Sequence, residues 1–505
     1  MVRLISFSLL FLAAQASAQV MLSSEKYSDN FKCNLRLTTN VLWEDSSGYY
    51  LRVNDDNLST YQHLNRSMEI DRKEIISSDQ KRTQRRQPYT SFCCNGRIIE
   101  LSYRINAQER TITWYAQHIS RLTLKPENEA VLIYTKPNFS AGELMRDDET
   151  YIPDFSFAFS ETGFCLINYS PDSFAARNML LRYELYICND SLKTTAVRAV
   201  QVEPVYMLNE IKHFNSGKVL INWRKRINPK HEPDLLMLAS ASAPGFRNLR
   251  PDLKGNEVHD FYVQELLDGE IAVAGYYIDP ALQATMGVFL FIYDKTTLAL
   301  IRSSINPVDI RFHYAGATPE QKASRAFLHS VVEIFEADSN RIVLLGEYTS
   351  YEVLNSSLRI ENNQMRGIIR NKNDKYIHGS SFAYCFDEAG NLAWANLIPV
   401  NQLAGFGEGL FISTVQTFYN NSLYIVYNDA IDGHIQGATR KTARISENCQ
   451  QTLVCISIDG KIRKEELRQQ IKYQRVMPFL CKRTSTGLLL VNRTPVDYSF
   501  LELKL

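Results

Sequence analysis

The apolar positions of this chain fall mainly in short runs, and a polar turn precedes most of them. The segment LDGEIAVAGYYI, residues 267–278, shows the pattern, because the turn residues Asp268 and Gly269 lead into a run that is almost wholly apolar. Short apolar runs bounded by turn residues are typical of β-strands rather than helices. The pattern therefore predicts a β-rich chain.

A turn of this kind followed by an apolar run occurs eight times. Neighbouring turns lie about 63 residues apart on average, since the first and the last are separated by 439 residues. Glycine or asparagine occupies each turn, and both residue types accept the positive φ of a tight hairpin. The turn residues are Gly48, Gly96, Gly163, Gly217, Gly269, Asn340, Asn421 and Gly487. The chain is thus predicted to repeat one supersecondary unit.

A second hairpin follows the first in most units, as in FIYDKTTLALIRSSI, FAYCFDEAGNLAWANLI and CISIDGKIRKEEL. Each unit therefore predicts four antiparallel strands. Long helical patterns between units are nearly absent, which argues against alternating strands and helices with a parallel sheet. The best helix candidate is ATPEQKASRAF, where Thr318 is a potential N-cap and Pro319 stands in the first turn.

Four-stranded units at this spacing resemble the blades of a β-propeller, in which neighbouring blades cover both faces of the inner strands. That resemblance accounts for fully apolar runs such as VLLG and GLLLV. It implies an all-β fold of eight blades, or of seven if residues 88–135 do not form a complete sheet. The chain has no WD dipeptide at blade ends, no kelch diglycine and no clean Asp-box, so it is most similar to divergent propellers exported by bacteria.

The last unit predicts how the ring closes. Its strands RVMPFLCK, GLLLVNR and DYSFLELKL number three, and the chain then stops. The segment QVMLSSEKY, residues 19–27, is predicted to supply the fourth strand, which leaves no exposed edge.

The N-terminal residues 1–18 are predicted to be a signal peptide, because Arg3 precedes an apolar run that ends at Ala16-Ser17-Ala18. The run is too short for the roughly 20 residues of a membrane-spanning helix. Residues 19–505 then form one exported domain, periplasmic or extracellular, with long loop insertions near 309–327, 348–381 and 428–450. Separation of the first three units as a second domain is the alternative, although no linker rich in Pro, Gly or Ser divides the chain.

Charge and cysteine content narrow the functional classes. Lys and Arg number 56 and Asp and Glu number 55, so the net charge of +1 gives no argument for a nucleic-acid partner. The nine cysteines are odd in number, do not cluster, and mostly lie in apolar runs. They are predicted to be mainly free buried thiols, with one or two disulfides as the alternative.

Long second-to-third connections predict the binding face, because long loops over a rigid scaffold commonly carry binding sites. Aromatic side chains beside polar groups at the strand exits suit sugars, peptides or other partly apolar ligands. The alternative is that these aromatics simply complete the packing between blades. The candidate ligand-binding residues are Trp223, Arg224, Tyr277, Tyr348, Arg370, Tyr427, Asn428 and His434.

No motif predicts catalysis, a metal or a cofactor. The histidines are dispersed, no G-x-S-x-G elbow occurs, and the DAIDG segment lacks the alternating oxygen ligands of a calcium loop. The leading hypothesis is a non-catalytic binding or interaction scaffold whose partner is a carbohydrate, a peptide or an envelope protein. A carbohydrate-active hydrolase or lyase and a structural subunit of a cell-envelope assembly remain alternatives.

Overall fold

The chain folds mainly into antiparallel β-sheets, as seen in a computed structural model. The structure describes residues 24–27, 31–32, 38–55, 58–77, 87–106, 108–136, 155–170, 180–203, 205–225, 235–240, 246–249, 251–279, 284–309, 312, 328–337, 340–352, 375–400, 402–404, 411, 413–430, 443–444, 449–467, 474–493 and 497–505.

The strands are numbered in chain order. The first ten are β1 (Ser24–Tyr27), β2 (Phe31–Lys32), β3 (Thr38–Asp45), β4 (Gly48–Asp55), β5 (Leu58–Asn65), β6 (Ile70–Ser77), β7 (Gln87–Cys94), β8 (Arg97–Asn106), β9 (Thr111–Ile119) and β10 (Val131–Lys136). The next twelve are β11 (Phe155–Phe159), β12 (Gly163–Ser170), β13 (Leu181–Asn189), β14 (Thr194–Val202), β15 (Tyr206–His213), β16 (Lys218–Lys225), β17 (Leu235–Ser240), β18 (Phe246–Leu249), β19 (Glu257–Glu265), β20 (Ile271–Asp279), β21 (Ala284–Tyr293) and β22 (Leu300–Pro307). The others are β23 (Leu328–Glu336), β24 (Ile342–Glu352), β25 (Lys375–Phe386), β26 (Leu392–Ile398), β27 (Gln402–Ala404), β28 (Val415–Tyr419), β29 (Ser422–Ala430), β30 (Ala443–Arg444), β31 (Cys449–Ser457), β32 (Ile462–Glu466), β33 (Arg475–Val476), β34 (Lys482–Thr484), β35 (Gly487–Arg493) and β36 (Asp497–Lys504).

The described strands form eight sheets, and each sheet is one blade of a β-propeller. Blades 1 to 5 are β3–β6, β7–β10, β11–β14, β15–β18 and β19–β22. Blade 6 is β23–β26 with the short β27 and β30, and blade 7 is β28, β29, β31 and β32. Blade 8 is β33–β36 with β1 and β2. Blade 2 is a complete sheet of four strands, so the prediction of eight blades rather than seven is confirmed.

The hydrophobic core is divided among the joints of the ring. In the described part of the chain the buried apolar side chains form eight clusters, and each cluster joins two consecutive blades, including blade 8 with blade 1. In the joint between blades 8 and 1, for example, Leu489 and Phe500 pack with Tyr49 and Leu51. A core at each joint, including the last, is the signature of a closed ring.

Position within a blade determines exposure. The first strands of blades 3 and 4, and of blades 5 and 6, contact each other, which places the first strands innermost around the central channel. Neighbouring blades cover both faces of the second strands, and β35 is buried along its whole length. Fourth strands are outermost, and β32 is largely exposed. Burial on both faces explains why apolar runs in the second strands, such as Leu488–Val491, do not alternate with polar residues.

The eight turn residues of the sequence repeat all lie at the hairpin between the first and second strands of a blade. Asn95 and Gly96 have φ of 47° and 69°, and Asn420 and Asn421 have φ of 46° and 54°. Positive φ at both central residues is the requirement of a type I′ turn, which asparagine and glycine meet at little cost. In blades 2 and 7 the turn residues of the sequence repeat therefore reflect a conformational requirement of the hairpin.

Closure of the ring by the N-terminal segment is confirmed. Strand β1 pairs with β36, from Ser24 opposite Lys504 to Tyr27 opposite Leu501. Strand β2 extends the same edge, with Phe31 opposite Tyr498. The N-terminal segment is therefore the outermost strand of blade 8, and the C-terminal segment supplies the inner three.

Antiparallel strands place the connections on two faces. The first-to-second and third-to-fourth turns lie on one face, called the turn face, and the second-to-third connections lie on the other, called the loop face. Strand β24 extends to Glu352 and β25 starts at Lys375, so both strands occupy parts of the insertion predicted near 348–381. Strand β29 ends at Ala430 and occupies the start of the insertion predicted near 428–450. The predicted signal peptide, most of the insertion near 309–327 and the helix predicted at 317–327 lie outside the described residues.

Eight cysteines lie in the described part of the chain and all are free thiols. Burial raises the pKa of the Cys188 and Cys385 thiols to about 11, which keeps both sulfurs protonated near neutral pH. Among the described residues no helix has the length and hydropathy to span a membrane.

Candidate functional site

The predicted aromatic site residues lie at equivalent places in four blades. Trp223, Tyr277, Tyr348 and Tyr427 lie in the second halves of β16, β20, β24 and β29, toward the loop face. Their side chains are nevertheless buried, with exposures of 0%, 5%, 3% and 1%. Arg224 lies in β16, but its side chain is outside the described part, and Arg370 and His434 lie outside the described residues altogether.

The structure does not bring these aromatic side chains together. Each belongs to a different joint: Trp223 to the joint of blades 3 and 4, Tyr277 to that of blades 4 and 5, Tyr348 to that of blades 5 and 6, and Tyr427 to that of blades 6 and 7. The Trp223 ring lies 4.8 Å from the ring of Tyr183. These clusters are packing contacts between blades, and the ligand-binding role of the four residues stays a prediction.

Asn428 connects two blades through three hydrogen bonds of its side-chain amide. Its Nδ2 donates to the carbonyl oxygens of Phe411 and Val476 at 2.8 Å, and its Oδ1 accepts from the Val476 backbone N–H at 2.9 Å. The backbone carbonyl of Asn428 also accepts from Gln402 Nε2 at 2.8 Å. Because Val476 lies in β33, this buried asparagine fixes blade 8 against blade 7, a structural role that requires no ligand.

Polar and charged side chains from the innermost strands form a second candidate site, which sequence reasoning did not identify. We call this group the channel cluster. It draws on the first strands of blades 4 to 8 and lies toward the turn face. Its members are Glu210, Lys212, Tyr262, Glu333, Gln416 and Arg483.

One half of the channel cluster centres on Arg483. The guanidinium forms an ion pair with Glu333 of blade 6 and donates through Nε to the Gln416 carbonyl of blade 7 at 2.9 Å. It also lies over the Phe335 ring, 4.9 Å from the centroid. Gln416 Nε2 donates to Glu333 Oε2 at 3.3 Å. A side chain from blade 8 therefore contacts blades 6 and 7 at once, near the axis of the ring.

The other half centres on Lys212. Its ammonium lies 3.1 Å from the centroid of the Tyr262 ring and 3.5 Å from Glu210 Oε1. It donates to the Val263 carbonyl at 3.1 Å. An ammonium over an aromatic face is stabilised by the ring quadrupole, most strongly where water is partly excluded.

Electrostatics link the two halves. Burial lowers the pKa of Lys212 below its ordinary value, although Glu210 and Glu333 favour the charged form. Burial raises the pKa of Tyr262, and Glu333 and Glu210 raise it further, while Arg483 opposes them. The Tyr262 hydroxyl therefore stays protonated and can donate a hydrogen bond at neutral pH.

The channel cluster is accessible and balanced in charge. The side chains of Glu210 and Arg483 are 44% and 40% exposed, and those of Lys212 and Glu333 are 15% and 16% exposed. Gln416 Oε1 is buried and accepts no hydrogen bond from the described residues, so it can accept one from a ligand. Two cations backed by aromatic rings and two carboxylates can bind a ligand that carries charges of both signs. Nowhere in the described part do three His, Cys, Asp or Glu side chains gather closely enough to hold a metal ion.

Comparison with known proteins adds structural similarities only. No protein-family model and no curated protein sequence matches the chain. The WD40 domain of SCAP from fission yeast is similar at 9% identity and a TM-score of 0.40, covering 95% of this chain and 98% of that one. The β-propeller domain of the Trilobed protease from Pyrococcus furiosus is similar at 10% identity and a TM-score of 0.34, covering 88% and 98%.

Prolyl oligopeptidase B from Galerina marginata, bound to a 35mer substrate, is similar at 8% identity and a TM-score of 0.40. The similarity covers 93% of this chain and 55% of that one, so the chain spans about half the length of that enzyme. Such low similarities transfer no activity, and the fold rests on the strand pairing of this chain itself.

Proposed function

We propose that the chain is an exported binding scaffold and that its channel cluster holds a peptide ligand without catalysing a reaction on it. The observation that carries this proposal is the convergence of two aromatic-backed cations and two carboxylates from the inner strands of separate blades. Lys212 and Arg483 suit a peptide carboxylate, and Glu210 and Glu333 suit an ammonium or guanidinium group.

The propeller architecture supports a binding role. Side chains on rigid strands are held in fixed relative positions, and a preorganised site loses little conformational entropy when it binds. The existing ion pairs matter as well, because a ligand of mixed charge can replace each pair without leaving a buried charge uncompensated.

Ligand binding at the channel cluster is expected to depend on its charges. The chain from residue 19 is screened against peptide and glycan libraries by thermal shift, since a ligand that binds the folded state raises its apparent stability. For the best peptide, Glu333→Gln and Lys212→Met are each expected to weaken binding about tenfold or more, a loss of about 1.4 kcal/mol or more.

Lys461→Ala is the matched control, because Lys461 is also paired with a carboxylate but is 80% exposed on a third-to-fourth turn of blade 7. It is expected to leave the affinity unchanged. Equal affinities for all three variants would contradict the channel site, and hits confined to glycans would contradict the peptide assignment.

Export is expected to remove residues 1–18. The support is the charged start, the short apolar run and the Ala-Ser-Ala sequence before Gln19. Intact-mass measurement of protein recovered outside the cytoplasm should give a chain that begins at Gln19. Recovery of exported chain that still carries Met1 would contradict the proposed processing.

A further inference from the structure

Blade 1 contains a chain of three hydrogen-bonded side chains on the turn face. Ser47 lies in the hairpin turn between β3 and β4, His63 lies in β5, and Asp71 lies in β6. Ser47 Oγ is 3.0 Å from His63 Nε2, and His63 Nδ1 is 2.6 Å from Asp71 Oδ1. A hydroxyl, an imidazole and a carboxylate in this order are the groups that activate a serine nucleophile.

Asp71 determines which imidazole nitrogen carries the proton. Partial burial raises the pKa of Asp71, but the hydrogen bond and charge of His63 and the charge of Arg72 outweigh that effect, so the pKa lies below its usual range. An ionised carboxylate only accepts hydrogen bonds, which assigns the proton to Nδ1. The lone pair of Nε2 in the neutral ring then faces Ser47 Oγ and can take its proton.

A β-bulge aims Asp71 at the imidazole. His63 lies opposite Arg72, whereas the next residue, Leu64, lies opposite Ile70, so Asp71 is the extra residue on β6. Bulges redirect side chains and occur frequently beside active sites. The Tyr50 ring, 4.7 Å from the imidazole centroid, packs against His63. The imidazole is therefore held on two sides.

The serine hydroxyl is exposed and the imidazole is buried, which suits a nucleophile that a substrate must reach and a base that must stay in place. Ser47 is exposed on the turn face. The His63 side chain beneath it is only 1% exposed, so a proton transferred to it is shielded from bulk water. A substrate can thus reach the hydroxyl while the base stays in a fixed position.

The surroundings of Ser47 suggest the kind of substrate. Asp45 Oδ1 accepts from the Ser47 hydroxyl at 2.6 Å and competes with His63 for its proton, and Asp45 Oδ2 lies 3.4 Å from Arg121 Nη1. Arg121 therefore offsets part of the Asp45 charge beside the serine. The carbonyl of Leu122 accepts from Arg72 Nη1 at 3.1 Å, and the Leu122 side chain is 81% exposed, so it is an apolar surface beside this group of residues.

We propose that Ser47 is the nucleophile of a second site, independent of ligand binding in the channel, that hydrolyses small carboxylic esters with an uncharged acyl group. Ser47 Oγ forms a bond to the ester carbonyl carbon while its proton passes to His63 Nε2. The carbon–oxygen bond to the alcohol then breaks, and the leaving alcohol takes that proton. Water attacks the acyl-serine, passes a proton through His63 to Ser47 Oγ and releases the acid. Asp71 is a positioning residue that keeps Nε2 turned toward the serine.

A fluorophosphonate probe tests this proposal, because it phosphonylates activated serines with loss of fluoride. Peptide mapping of the labelled chain from residue 19 is expected to place the adduct on Ser47. Ser47→Ala should abolish both the label and the hydrolysis of p-nitrophenyl acetate above background, and the neighbouring exposed Ser46 provides the matched control, Ser46→Ala. Ser457 is an internal control, since its hydroxyl donates to Asp459 and contacts no imidazole within the described residues.

Asp71→Asn distinguishes positioning from structural support. It is expected to lower kcat for p-nitrophenyl acetate about 100-fold, with KM and the melting temperature little changed. No adduct on Ser47 of the folded wild-type chain would overturn the proposal, as would equal labelling of Ser47 and Ser457. A fall in melting temperature with unchanged kcat in Asp71→Asn would overturn the role of Asp71.

Discussion

A chain that begins at residue 33 is expected to unfold at a clearly lower urea concentration than a chain that begins at residue 19. The deletion removes the six strand residues of β1 and β2 that pair with β36. Each backbone hydrogen bond contributes about 1 kcal/mol, so the expected loss is on the order of 5 kcal/mol. It also removes the hydrogen bond from Lys26 Nζ to the Arg66 carbonyl, which ties the N-terminal segment to blade 1.

The deletion should also promote association, because β36 would present an unpaired edge. Light scattering at increasing protein concentration measures this effect beside the urea midpoint. Ser24→Ala, at an exposed position of β1, is the control and is expected to match the chain from residue 19. An unchanged midpoint for the chain from residue 33 would show that the N-terminal segment does not stabilise the ring.

Trp223→Ala is expected to reduce the free energy of unfolding by about 3–5 kcal/mol, the usual cost of truncating a large buried ring. The indole has no exposed surface, packs on Tyr183 and directs Nε1 at the Met237 sulfur at 3.1 Å. Its removal leaves a cavity in the joint of blades 3 and 4. Tyr427→Ala should produce a similar loss in the joint of blades 6 and 7.

Leu267→Ala is the control for this pair, since Leu267 is 87% exposed at the Asp268-Gly269 turn and should change stability by less than about 0.5 kcal/mol. Urea unfolding and ligand affinity are measured on the same variants. A loss of stability with unchanged affinity per folded molecule indicates packing. A loss of affinity at unchanged stability would support the original assignment of Trp223 and Tyr427 to a binding site.

The architecture was predictable because its main determinant is local. A hairpin turn with positive φ favours glycine or asparagine, as at Gly96 and Asn421, and a glycine or asparagine stands at or next to the first hairpin of each blade. The count of blades and the closing strand follow from that repeat, since the last unit lacks a fourth strand. Second strands are buried on both faces and need no alternation of apolar and polar residues, which is why the apolar run at Leu488–Val491 marks a second strand.

The aromatic candidates show where local reasoning fails. A tyrosine or tryptophan near a strand exit is compatible with either packing or binding, and only the neighbouring blade decides between them. That neighbour lies about 60 residues away in the chain. Trp223 and Tyr427 therefore have the neighbours in sequence that a binding site would have, but their side chains are buried like those of core residues.

The channel cluster left a weak signal in the sequence. Glu210 and Lys212 are two positions apart in the strand before the Gly217 turn, so both point to the same side of β15. The spacing alone does not reveal whether that side faces the channel or a neighbouring blade. The pairing of Glu333 with Arg483 is even less predictable, because the two residues are 150 positions apart.

The Ser47 site depends on strand register. His63 lies 16 residues after Ser47 and 8 residues before Asp71. A shift of one residue in the pairing of β5 would turn His63 to the opposite face of the sheet. The bulge that selects Asp71 has no recognisable sequence mark, so this arrangement becomes visible only in three dimensions.

Backbone hydrogen exchange with and without the best peptide from the thermal-shift screen tests the binding proposal most directly. If the channel cluster holds the ligand, exchange slows in the inner strands at residues 206–213, 257–265, 328–336 and 482–484. Protection confined to the second-to-third connections, at residues 226–234 and 431–448, would place the ligand on the loop face and contradict the channel site.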